Sequence, residues 1–188
     1  MKYFTADLHL GHANIIKYCD RPFKDANHMD QQIIENFQSV VKPGDELYIL
    51  GDLSFDVEKA LHFLRFVHCQ HFIVWGNHDP KKAKDREVLQ KMCVKTADLM
   101  EVKLASGKQA VMCHYPLLRW NKAHFGSFML HGHTHGGCKY PENMRILDVG
   151  VDHEFVMHPK YFPISEEEIG RYMTKVPWIE HHYFKEIK

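Results

Sequence analysis

Apolar residues in this chain fall in short runs that end abruptly at polar ones. Lys2 to Ala6 reads as a strand that stops at Asp7-Leu8-His9, and Ala13 to Cys19 reads as a helix. From Asp30 to Val41, residues Ile33, Ile34, Phe37, Val40 and Val41 recur at helical spacing and give one apolar face. Pro43-Gly44 breaks that helix, and Glu46 to Leu50 reads as a buried strand running into Gly51-Asp52. Val57, Ala60, Leu61, Leu64 and Val67 predict a second amphipathic helix. His71 to Trp75 then forms another strand, which runs into Gly76-Asn77-His78-Asp79. Strand, helix, strand, helix, strand is the order of βαβ units with parallel strands.

The second half has a different texture. Leu99 to Leu104 and Gln109 to Cys113 flank Ser106-Gly107, which predicts a hairpin. Further strand-like runs lie at Ser127 to Leu130 and Met144 to Val149. Ser165-Glu166-Glu167-Glu168 has the form of a capping box opening a C-terminal helix. The pattern predicts one α/β domain over residues 1–188, with a parallel first half and an antiparallel second half, both needing helix cover. No repeat or linker divides it.

The polar groups with chemical potential all fall just after predicted strands. In order they are Asp7-Leu8-His9, Gly51-Asp52, Gly76-Asn77-His78-Asp79, His114, and Gly132-His133-Thr134-His135. Open α/β sheets gather ligand sites at the carboxyl ends of their strands, so these loops are expected to converge. In an extended D-x-H, alternate side chains point the same way, which would let Asp7 and His9 grip one ion together. His133 and His135 repeat that spacing, and the neighbouring glycines let backbone crowd close. Mixed carboxylate and imidazole ligation suits manganese, iron or zinc better than a thiolate site would.

Composition sharpens this picture in three ways. Lys+Arg and Asp+Glu are both 24, so the zero net charge argues against a polyanion-coating surface while leaving room for a local positive site, and nothing in the sequence points to stable nucleic-acid binding. Histidine is in excess at 16, which makes metal or proton chemistry worth testing. The five cysteines are widely spaced with no C-x-x-C, so neither a zinc ribbon nor a disulfide framework is indicated, and they read as small buried side chains. The opening MKYFTADLH lacks the unbroken apolar run of a signal peptide, and no stretch approaches a membrane helix. The expectation is a cytoplasmic protein.

The ordered set D-x-H, G-D, G-N-H-D, H and G-H-T-H resembles the signature of the calcineurin-like metallophosphoesterases, in particular the compact, capless bacterial and phage members. It spans positions 7 to 135, and Asp148-Val149-Gly150-Val151 resembles the closing strand of that family. The resemblance implies two packed mixed β-sheets flanked by helices, a four-layer α/β/β/α sandwich. It implies two divalent metal ions, manganese first, with iron, zinc or nickel as alternatives. One ion would be held by Asp7, His9, Asp52 and His135, and the other by Asp52, Asn77, His114 and His133, with Asp52 bridging. His78 would be the non-ligand histidine near the leaving group. Asp7 and Asp52 return only two of four positive charges and Asn77 is neutral, so the site stays positive for an anionic ester. Two ions ~3.5–4 Å apart activate a shared water, whose hydroxide attacks phosphorus in line with the departing oxygen. His78 would protonate that oxygen, a task an imidazole performs well near neutral pH.

Substrate signals are sparser. His12 is compatible with a phosphate contact or a surface position, and Arg21 with a phosphate fork or a solvated loop residue. Arg119 and Trp120 sit in Tyr115 to Phe125, which suits a substrate-facing loop with a stacking surface or an ordinary loop with a buried Trp. Asp79 before Pro80 reads as a helix cap rather than a partner orienting a histidine. His131 is compatible with a supporting role only. Gly51-Asp52 lacks the arginine-bearing continuation of related protein phosphatases, and the chain has no room for the extra domains of related nucleases. Small or nucleotide-type phosphodiesters are therefore the expected substrates. A phosphomonoesterase on the same site and a non-catalytic scaffold remain the alternatives.

Overall fold

The computed structural model describes residues 1–153 and 159–177. His158, His181 and His182, to which the sequence assigns no role, lie outside them. The first sheet contains β1 (Lys2–Thr5), β2 (Glu46–Leu50), β3 (Gln70–Val74), β4 (Lys95–Ala97) and β9 (Ile164–Ser165), in the order β4-β3-β2-β1-β9. Its first four strands are parallel, and β9 joins β1 antiparallel. The second sheet contains β5 (Leu99–Lys103), β6 (Gln109–Cys113), β7 (Phe128–His131) and β8 (Ile146–Asp148), in chain order.

The expected hairpin is present, with β5 and β6 antiparallel across the Ser106-Gly107 turn. The rest of the second half departs from expectation, because β6, β7 and β8 run parallel. Tight turns force antiparallel pairing, but the segments 114–127 and 132–145 are long enough to return the chain to the same end. That difference matters for the site, since it aligns the carboxyl ends of β6, β7 and β8. The sheets meet where Ala6 bridges Gly150 in parallel and Val151 N–H donates to the Ala6 carbonyl at 3.1 Å.

Among the described residues five helices accompany the sheets: α1 (Ala13–Tyr18), α2 (Ala26–Val40), α3 (Val57–Phe66), α4 (Ala83–Met92) and α5 (Glu166–Met173). α2 begins earlier than its apolar stripe, because Asp25 caps it by accepting from His28 N–H at 2.8 Å. α3 is capped by Asp56, and α5 by the full Ser165/Glu168 capping box. α4 starts only at Ala83, with Lys82 as an uncapped first position. Asp79 therefore does not cap it.

One core packs the helices on the first sheet through Met29, Ile33, Phe37, Leu47, Ile49, Phe63 and Ile73. A second core fills the space between the sheets, with Phe4, Tyr48, Leu50, Val74, Met112, Phe128 and Leu130. Burying each such large side chain contributes about 1.5–3 kcal/mol. The outward residues Val111, Met129 and Ile146 form a third cluster, covered by Leu117, Trp120, Tyr140 and Met144 of loops. The expected fourth layer of helices is thus replaced, among the described residues, by loops with a single 3₁₀ turn at Ala123–Phe125. α5 adds Ile169 and Met173 to the inter-sheet core and packs beside β9 and β1. The result is a mixed α/β sandwich of helices, sheet, sheet and loops. No helix among the described residues is long and apolar enough to cross a membrane. All five cysteines are free.

Buried His71 on β3 gives this fold an acid limit. Burial pushes its pKa down to about 4, against about 6.5 in an unfolded chain. Its contribution is complete above pH 6.5 and falls as pH drops from 6.5 toward 4, because only the unfolded chain takes up the proton there. The loss should reach about 3 kcal/mol. Urea unfolding of wild type and His71→Gln at pH 7.5 and 4.5 measures it, and the wild type should show the larger acid loss. Equal losses would remove the assignment.

Candidate metal centre

Every sequence-predicted motif lies at the carboxyl end of a strand, and the structure brings most of them together. Asp7 follows β1, Asp52 follows β2, Asn77 and His78 follow β3, His114 follows β6, and His133 and His135 follow β7. Among the described residues, three clusters of atoms within 4.8 Å of one another are able to hold a metal ion: Asp7, His9 and His135, then Asp7, Asp52 and His114, and, behind the first, Cys19, His135 and Asp152. Asn77 Oδ1 adds itself to the second at 2.9 Å from His114 Nε2. His133 is exposed at the rim, its ring 5.1 Å from that of His114. His78 stands outside the clusters, its ring 5.5 Å from His9.

The backbone that presents these groups is not the extended one expected of D-x-H. Asp7, His9, Asp52, His133 and His135 all have positive φ, between 47° and 69°. Such left-handed residues with side chains cost about 1–3 kcal/mol each and gather at functional sites. The loops also press on each other. Gly51 is at φ 89°, and a Cβ there would collide with His114 Nδ1, while one on Gly76 would collide with Asp52 Oδ1. Glycine at these positions brings one loop against the next.

The polar groups have an electronic reason to want cations. Asp52 is buried, and its Oδ2 lies 3.5 Å from both His9 Nε2 and His114 Nε2. Its Oδ1 accepts from His78 N–H at 2.8 Å. His9 is buried with neither ring nitrogen partnered, and burial with neighbouring His135 and Arg21 lowers its pKa to about 2. It is therefore neutral, and one of its two ring nitrogens keeps a lone pair free for a metal ion. His114 donates Nδ1–H to the Leu50 carbonyl at 2.9 Å, so its Nε2 lone pair faces the Asn77 oxygen. Two acceptors in contact are reconciled by a cation between them. Burial, then the Asp148 and Asp52 carboxylates, push Asp7 well above the usual carboxylate range. A divalent ion removes that penalty. The donor set fits hard or borderline ions.

Three aspartates hold the candidate ligands in place. Asp79, expected as a helix cap, instead accepts from the backbone N–H groups of Asp52, Leu53 and Gly76 at 3.1, 2.9 and 2.7 Å. It ties the Asp52 loop to the Asn77 loop, which the adjacent Pro80 concealed in the sequence. Asp148 accepts from Thr134 Oγ1, Gly136 N–H and Gly150 N–H at 2.6, 3.0 and 2.7 Å. It thereby fixes the loop carrying His133 and His135. Asp152 accepts from His135 Nδ1 at 2.7 Å, which leaves His135 Nε2 for the cluster. Burial alone would raise Asp152, but bonds from His135 and Arg21 win and hold it below the usual range.

Arg21 requires a correction. It is neither a phosphate fork nor a solvated loop residue, because it is buried 3 % exposed behind the ligands. Its Nε and Nη2 clasp both Asp152 oxygens at 2.8 and 2.7 Å, and it also donates to the Asp7 and Leu8 carbonyls. With its donors spent it cannot reach substrate; it joins the D-x-H loop to the support of His135. Trp120 is also corrected as a stacking surface. Its indole N–H donates to Ser127 Oγ at 2.9 Å and its ring packs on the third cluster. Arg119 is exposed on the same loop. His12 is half-buried beside His9, with ring centroids 5.8 Å apart. His131 is buried, donating Nδ1–H to the Gly132 carbonyl at 2.7 Å, with no partner for Nε2. Cys19, read as a small buried side chain, lies 3.4 Å from His135 Nδ1.

No protein-family model matches the chain. It is 29% identical over 179 residues to an uncharacterised protein of Methanocaldococcus jannaschii, covering 92% of this chain and 91% of that one. It is 26% identical over 178 residues to the gene 66 protein of Mycobacterium phage L5, covering 80% of this chain and 86% of the relative. Among solved structures, a protein of unknown function from Aquifex aeolicus superposes with a TM-score of 0.67 at 25% identity. That match covers 92% of this chain and 98% of the other, so the fold recurs across whole chains of similar length. A partial likeness to the phosphopantetheinyl hydrolase of Mycobacterium tuberculosis, at 17% identity and TM-score 0.33 over 66% of this chain, is too loose to bear on fold or chemistry.

Proposed function

We propose that this chain is a metal-dependent phosphoesterase of the calcineurin-like type, acting on small or nucleotide-type phosphodiesters. In this reading residues 1–188 work as one cytoplasmic domain. The observation that carries it is Asp52: one buried carboxylate oxygen lies 3.5 Å from an imidazole nitrogen on each side. Asp7, His9, Asp52 and His135 would hold one divalent ion, and Asp52, Asn77, His114 and His133 the other, with manganese the first choice. When bound, such a pair supplies an activated water and neutralises charge on the phosphoryl oxygens.

The residues themselves do the rest. His135, held through Asp152, and His114, held through the Leu50 carbonyl, keep fixed tautomers and orientations. Asp79 fixes the distance between the Asp52 and Asn77 loops. His78 stands beside the cluster with its backbone tied to Asp52, which suits a proton donor to the departing oxygen. Diesters are favoured over monoesters because Arg21, the nearest sequence candidate for a dianion fork, is fully committed to Asp152 and backbone carbonyls. Retention of every candidate ligand favours catalysis over a scaffold.

The test uses manganese-loaded protein with bis(p-nitrophenyl) phosphate and p-nitrophenyl phosphate side by side. We expect a higher kcat/KM for the diester, lost on chelation. Metal-loaded protein that hydrolyses neither ester would overturn the reading, and a clear monoester preference would replace the diester assignment.

A further inference from the structure

The loop after Asp52 carries a phenyl ring that, among the described residues, joins no hydrophobic core. Phe55 is 51% exposed and belongs to none of the three hydrophobic clusters. Its neighbours are imidazoles of the site: His78 at 4.6 Å and His12 at 5.2 Å, both edge to face, and His9 at 6.3 Å. Tyr18, 75% exposed, extends the row beyond His12 at 6.5 Å. Aromatic surface therefore runs from candidate ligand His9, past His78, to solvent. The facing rim is different in kind. Tyr115 leans on His133 at 4.7 Å and His114 at 5.0 Å, and its hydroxyl lies 3.4 Å from Asn77 Oδ1. One rim ends in a bare apolar ring, the other in a polar hydroxyl.

We infer that Phe55, flanked by His12 and Tyr18, forms a stacking subsite for a planar ring on the leaving-group alcohol of the ester. This rests on the phosphoesterase reading and deepens it, naming the substrate as a diester whose departing alcohol bears an aryl or nucleobase ring. The side is set by His78. Hydrolysis breaks the bond from phosphorus to the departing oxygen, and that oxygen takes its proton from His78 while phosphorus keeps the oxygen of water. The proton lost by the water restores His78. A ring on that alcohol would lie beside Phe55, whose ring meets that of His78 edge to face. The stacking role expected of Trp120 thus passes to Phe55, because Trp120 is packed against the second sheet.

The test compares methyl 2-phenylethyl phosphate with methyl ethyl phosphate, whose larger alcohols have similar acidity, so the ring is the variable. Manganese-loaded wild type should favour the phenylethyl ester by roughly tenfold in kcat/KM, the order one ring stacking on an aromatic side chain supplies. The alcohol released should be 2-phenylethanol. Phe55→Ala should bring the ratio near one, while Phe66→Ala, on the exposed end of α3, should leave it unchanged. An unchanged ratio in Phe55→Ala, or release of methanol, overturns the subsite. If metal-loaded protein hydrolyses neither ester, turnover of bis(p-nitrophenyl) phosphate shows whether the phosphoesterase reading has failed as well. Calorimetric binding of 2-phenylethyl phosphate against methyl phosphate then decides the subsite alone. Tighter binding that Phe55→Ala abolishes sustains it, and equal binding overturns it.

Discussion

Asp52→Asn is expected to abolish hydrolysis and to strip the protein of most of its bound metal. Few side chains in the cluster are so placed. The carboxylate is 1% exposed, and one oxygen faces His9 and His114 at 3.5 Å while the other holds the His78 amide. Asparagine keeps the shape and the acceptor for His78 N–H, so the loop should still form. It removes the negative charge and turns the shared oxygen into an amide N–H₂, which repels a cation. In the proposed arrangement both ions would lose a ligand in one substitution, whereas His135→Ala or Asn77→Ala would cost one ion each. Loss of several kcal/mol of transition-state stabilisation corresponds to a fall of roughly 10³ or more in kcat/KM. Metal content after gel filtration, with turnover on bis(p-nitrophenyl) phosphate, measures both effects. A folded variant with near-normal turnover and two metals per chain would refute the dinuclear assignment.

The candidate ligands were legible in sequence because they combine two local signals, an apolar run and a polar group at its end. Parallel strands with long returns do the gathering, so order along the chain was enough to predict convergence. What supports the ligands was illegible for the opposite reason. Arg21 and Asp152 are 131 residues apart, and their pairing exists only because Ala6 and Gly150 join the two sheets. An arginine before a proline looks the same whether it meets phosphate or a buried carboxylate. Asp79 misled in a different way, since Asp-Pro is a good helix opening, yet three backbone amides of converging loops outbid the single one a cap would satisfy. The local geometry of D-x-H was also hidden. Alternation suggested extended backbone, but tertiary contact with His133 N–H holds Asp7 at φ 58°. β4 has only three residues and little apolar character, so no run announced it.

His78→Ala separates chemistry from metal binding. The His78 backbone, not its ring, is tied to Asp52, and the ring lies outside all the candidate clusters. Alanine keeps the backbone N–H, so the carboxylate stays oriented and the metal content should be unchanged. What disappears is the imidazole that faces His9 and Phe55 at the mouth of the site. If that imidazole protonates the departing oxygen, its loss should lower kcat by roughly 10²–10⁴ for alcohols of ordinary acidity. The loss should shrink steadily as the leaving group becomes more acidic, because p-nitrophenolate departs without needing a proton. A series of aryl and alkyl methyl phosphates spanning leaving-group acidity, run on wild type and variant with equal metal content, gives the two slopes. The variant should show the steeper dependence on leaving-group acidity, converging with wild type at the acidic end. Parallel slopes with a constant offset would leave His78 a binding or positioning role and take the proton donor elsewhere.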